Sequence, residues 1–66
     1  MNEAVYLSDM ATAMFPHVSK DRAVRNLKRL MRQNPDLQRR LAQTYYDPHS
    51  RVLTPRQAAL VREYLM

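Results

Sequence analysis

Sixty-six residues with no cysteine, no glycine and a net charge of +5 exclude several classes at once. A chain this short reads as one domain, 1–66, and buries only about 60% of its unfolded surface. Without Cys or a Cys/His cluster, neither disulfides nor structural zinc can supplement the core. Without Gly there is no phosphate-cradling loop of the P-loop or dinucleotide type. The longest apolar runs are four residues, far short of a membrane span.

Residues 1–7 read as extended or frayed, with Val5, Tyr6 and Leu7 able to form a short strand. They have no basic n-region and do not resemble a signal peptide; together with the lack of Cys, this points to a cytoplasmic protein. Ser8 has the chemistry of an N-cap and Asp9 that of a first-turn acid. Met10, Ala11, Met14 and Phe15 then form an apolar stripe, which predicts a helix over about 8–15. Pro16 ends it, because the residue before a proline is pushed out of helical geometry. Pro16 to Ser19 makes a corner.

Ser19 caps the next predicted helix, 19–33. Ala23, Val24, Leu27, Leu30 and Met31 fall on one side of it. Arg22, Arg25, Arg29 and Arg32 fall on the other at 3-4-3 spacing, with Lys28 at the edge. This segment alone carries +5, equal to the charge of the whole chain, and only Asp21 interrupts its six cations. Asn34-Pro35-Asp36 is a fresh start signal. It opens a helix over 35–45 with Leu37, Leu41, Thr44 and Tyr45 on one face. On that periodicity Tyr45 belongs to the core and Tyr46 covers its edge.

Tyr46 to Leu53 reads as a loop built on Asp47-Pro48-His49-Ser50 turn chemistry. Its end, 51–53, is a candidate strand partner for 5–7. Thr54 and Gln57 have capping-box spacing, Pro55 sits at the first helical position, and Leu53 and Ala58 stand where a hydrophobic staple would. The last helix, 54–65, carries Leu60, Val61, Tyr64 and Leu65 on one face. The fold class is therefore all-α: a small four-helix domain.

Residues 11–27 fit a helix-turn-helix template. Ala11 is the small residue at the helix crossing, Met14 and Phe15 are core, Val18 plugs the core from the turn, and Ala23, Val24 and Leu27 face inward. In such a motif the start of the second helix meets base edges in the major groove. Lys20, Arg22, Arg25 and Asn26 are the candidates to face bases, since Arg pairs with G and Asn with A. Ser19, Lys28, Arg29 and Arg32 suit phosphates. The expected partner is double-stranded DNA, read by a homodimer paired through the C-terminal helix. The alternatives are RNA, or an acidic protein docked on the Arg stripe; a charge run can also be a plain solvated face.

Other chemistry finds little support. His17 and His49 lie in a corner and a loop, and Asp47 with His49 would supply only two of the three or four ligands a metal needs. Nucleophilic catalysis needs Ser, Thr or Cys beside an oriented base, and Ser8, Ser19 and Thr54 are already used as caps. Met10, Met14 and Met31 lie on core stripes rather than forming an adaptable Met-rich binding surface. Neither enzyme activity, nor a small-molecule substrate, nor a cofactor, nor a metal is expected.

The segments 6–19 and 51–57, with Ala23, Leu27 and Asn34-Pro35-Asp36-Leu37, resemble the domain-of-unknown-function 4248 family. These are short proteins of gut Bacteroidetes and their mobile elements. The shared pieces are a Phe-Pro pair, a Pro-x-Leu helix start and a late Leu-Thr-Pro-x-Gln stretch, spanning about residues 6–65. Leu30-Met31 stands where an aromatic-Ile pair is usual, and the Gly-containing ends are missing. The resemblance implies a helical fold with a helix-turn-helix-like core and supplies no activity.

Overall fold

The computed structural model describes residues 4–66; the extended reading of residues 1–3 lies outside them. The chain runs β1 (Val5–Tyr6), α1 (Leu7–Met14), α2 (Lys20–Arg32), α3 (Pro35–Ala42), β2 (Val52–Leu53) and α4 (Pro55–Leu65). The strands pair antiparallel, Val5 with Leu53 and Tyr6 with Val52. This joins the first described residues to the segment just before the last helix.

The strand pair changes how α1 begins. Tyr6, not Ser8, is the N-cap, and it makes no side-chain capping bond. The Leu7 N–H instead donates to the Arg51 carbonyl at 2.9 Å. A helix start needs partners for its first N–H groups, and here the strand partner provides one. Ser8 consequently lies one residue inside the helix, while Asp9 keeps its place in the first turn.

The later caps follow the sequence closely. The Arg22 N–H donates to Ser19 Oγ at 3.3 Å, and the Leu37 N–H donates to Asn34 Oδ1 at 3.1 Å. Thr54 and Gln57 form a reciprocal box: Thr54 N–H to Gln57 Oε1 at 3.0 Å, Gln57 N–H to Thr54 Oγ1 at 3.2 Å. Each such cap is worth about 1 kcal/mol, a useful increment for a domain of this size. Leu53 and Ala58, both buried, flank the box as its staple.

The core is contiguous and drawn from every helix. Leu7, Met10 and Ala11 of α1 meet Ala23, Leu27 and Met31 of α2, with Leu37, Leu41, Leu53, Ala58 and Val61 completing it. Ala11 and Ala23 have no exposed surface, and α1 packs more extensively on α2 than any other helix pair does. Small residues let two helices approach closely, which fits the role expected of Ala11. Val18 does not plug the core: it is exposed, while Phe15, at the end of α1, is half-buried against the core as expected.

The end of α3 departs from the expected helix over 35–45. The helix stops at Ala42, and Tyr45 takes a left-handed conformation with φ 58°. The Tyr46 N–H then closes back on the Leu41 carbonyl at 3.4 Å, the long bond of a Schellman-type stop. The chain has no glycine to place there, so a tyrosine carries the turn. This reverses the two tyrosines. Tyr45 is 97% exposed, while Tyr46 is half-buried against the core.

Candidate nucleic-acid interface

The polar face of α2 follows from its periodicity. Ala23, Leu27 and Met31 point into the core, so the residues half a turn away must face water. Lys20, Arg22, Arg25, Arg29 and Arg32 are all exposed. Among the described residues, no cation of α2 lies within ion-pair distance of an acid; the Arg39–Asp36 contact, at 3.0 Å, belongs to α3. Among the described residues, the stripe is thus a row of cations without an ion-pair partner along one helix.

The edges of α2 are more constrained than its centre. Asn26 is half-buried, and its Oδ1 accepts from Arg29 Nη2 at 2.7 Å. This bond fixes the Arg29 guanidinium and leaves the Asn26 amide to one side, over a shallow cavity of about 310 Å³ shared with Phe15 and Leu30. Lys28 is half-buried on the opposite edge, with its ammonium in long contact with the Pro48 carbonyl at 3.5 Å. Ser19 is exposed, but its hydroxyl already accepts the capping bond.

The eight residues singled out from the sequence therefore sort by position. Arg22, Arg25, Arg29 and Arg32 form the central stripe, Lys20 and Ser19 the amino end, and Asn26 and Lys28 the two flanks. Tyr6 and Arg51 were not placed with them, yet both line a cavity with Lys20 and Lys28. Tyr6 comes there with α1, which packs on α2, and the pairing of β1 with β2 brings Arg51 beside it. The candidate strand pairing was the one sequence signal that pointed to it.

Tyr46 lines a cavity with Lys28 and Arg32 of α2 and with Pro48 and His49 of the following turn. Burial pushes its phenol above the ordinary tyrosine range, and the neighbouring Asp47 carboxylate adds to the shift. The turn itself is an Asx type, with the His49 N–H donating to Asp47 Oδ1 at 2.9 Å. Among the described residues, no three His, Cys, Asp or Glu side chains gather as a metal site would need. No described helix is long and apolar enough to cross a membrane.

The family model described as Domain of unknown function (DUF4248) matches residues 2–66. The chain belongs to that family. No curated protein and no solved structure matches it. In this member of the family, the distinctive short motifs have plain structural reasons. Phe15-Pro16 ends α1 and seats an aromatic ring on the core. In Leu53-Thr54-Pro55-Arg56-Gln57, Leu is the staple, Thr the cap, Pro the first helical residue and Gln the return arm of the box.

Proposed function

We propose that the chain is a small DNA-binding protein, a regulator or accessory factor of a mobile element, that lays α2 in the major groove. α1, the corner over residues 15–19 and α2 act as a helix-turn-helix, with α2 as the second helix. Lys20, Arg22 and Arg25 face base edges. Asn26 stands beside them and orients Arg29. Lys28, Arg29 and Arg32 hold phosphates, and Ser19 fixes the amino end of the helix near the backbone.

The observation that carries this reading is the unpaired stripe. Four arginines share one exposed face, with no acid in ion-pair range among the described residues. Surfaces without a polyanionic partner usually interleave both signs, and a concentrated positive field speeds encounter with a phosphate backbone. One domain covers a short site. A second copy, paired through the apolar end of α4 at Leu65 and the exposed Met66, would read a half-site about one helical turn away.

Reversing three charges tests the reading. The variant Arg22→Glu/Arg25→Glu/Arg29→Glu removes the stripe and leaves Ala23, Leu27 and Met31 in place. Its circular dichroism should match the wild type, and its binding to a mixed-sequence duplex should be lost. A folded variant that binds as before rules out the stripe as the site. A wild type that binds an acidic protein but no duplex makes the chain an interaction module instead.

A further inference from the structure

The edge of α2 that faces the strand pair holds a second group of cations. Lys20, Val24 and Lys28 recur every four residues along that edge. Across from them stand Tyr6 of β1 and Arg51, the residue just before β2, and together they surround a cavity of about 510 Å³. Leu7 and Val24 contribute apolar surface to it. Asp21 is the single acid in its lining against three cations.

Arg51 is held in place by its backbone rather than its side chain. Its carbonyl accepts from the Leu7 N–H at 2.9 Å, and the next residue, Val52, pairs with Tyr6. Ser50 braces the same stretch: the Val52 N–H donates to Ser50 Oγ at 3.2 Å. Lys28 reaches the Pro48 carbonyl of the preceding turn. The guanidinium is left exposed on a fixed stem, and among the described residues no acid lies within ion-pair distance of it.

We infer that the β1–β2 ribbon is a second DNA-contacting element beside α2, with Arg51 and Lys28 gripping the sugar-phosphate strand that borders the groove. This rests on the proposed placement of α2. An α-helix about 10–12 Å across fills a major groove about 12 Å wide. An element standing across a cavity from the edge of that helix is therefore carried onto the phosphate row, not onto the bases. The cavity suits such a strand: cations at the rim for phosphate oxygens, the Tyr6 hydroxyl as a neutral donor, and apolar surface from Leu7 and Val24 for a deoxyribose.

The test is a salt titration of duplex binding by the wild type, Arg51→Gln, Arg51→Lys and Arg56→Gln. Arg56 lies in a different cleft, between α3 and α4, and serves as the control for general charge. One lost phosphate contact lowers the slope of log affinity against log salt by about 0.9. Between 50 and 200 mM salt, Arg51→Gln should therefore lose about 3.5-fold less affinity than the wild type does. Arg51→Lys and Arg56→Gln should keep the wild-type slope.

An Arg51→Gln slope equal to the wild type overturns the inference and leaves the placement of α2 standing. A wild type that does not bind duplex at 50 mM salt overturns both. Poly-L-glutamate in place of the duplex gives a further arm. If it binds as tightly and loses as much on Arg51→Gln, the cavity accepts any polyanionic chain, an acidic protein included, and the assignment to a phosphate backbone fails.

Discussion

Gln57 Nε2 donates to both the carbonyl and the hydroxyl of Thr44, at 3.0 and 3.1 Å. Its other amide atom, Oε1, caps Thr54. One buried side chain thus closes the amino end of α4 and fastens it to the end of α3. A buried amide is costly unless its polar atoms are satisfied, and here both are. Gln57→Leu should destabilise the fold by about 2–3 kcal/mol, since it strands the Thr54 N–H and the Thr44 carbonyl together. Urea unfolding measures this; a loss under about 0.5 kcal/mol would mean that water replaces the amide.

The left-handed Tyr45 offers the opposite effect. A non-glycine residue in that region costs about 1–2 kcal/mol. Its ring is almost wholly exposed, so nothing is lost by removing it. Tyr45→Gly should raise stability by about 0.5–1 kcal/mol once the extra freedom of glycine in the unfolded chain is counted. Thermal unfolding reads the change as a higher midpoint.

Tyr46 sets an alkaline limb. Its folded pKa is raised by burial and by Asp47, so the folded state holds the phenolic proton more tightly than the unfolded chain. That contribution is complete below the unfolded value near 10.0 and is lost as pH rises from there through the folded pKa. Midpoints measured from pH 8 to 11 should fall less steeply in Tyr46→Phe than in the wild type. Parallel curves would show that this phenol is not linked to folding.

Two single substitutions on α2 should separate base reading from phosphate holding. Arg25→Gln should relax preference at one base position by about 1–3 kcal/mol on a selected site. Arg32→Gln should weaken all sequences alike and reduce the salt slope by about 0.9. Selection on a random duplex pool, followed by titration of both variants, tests the assignment.

Local chemistry made much of this fold legible. Three of the four helix starts are legible because the side chains of Ser19, Asn34 and Thr54 each accept from the first turn of the helix they open. The buried stripe of α2 followed from its period, as did the exposed arginines opposite. The start of α1 was misread because its first N–H is satisfied by Arg51, far away in sequence. Tyr45 and Tyr46 were exchanged because one left-handed residue cancels helical periodicity, and no glycine marked the place. Val18, expected in the core, lies exposed in the turn between α1 and α2. Arg51 is not legible as part of the candidate site because its nearness to Lys20 and Lys28 depends on a strand pair two residues long.

Fluorescence anisotropy of a labelled mixed-sequence duplex, titrated with the protein at several salt concentrations, tests the central claim most directly. With about four to six phosphate contacts, log affinity should fall linearly with log salt at a slope of about −3.6 to −5.4. No binding at low salt, or binding that ignores salt, would contradict the reading of α2 as a DNA-binding helix.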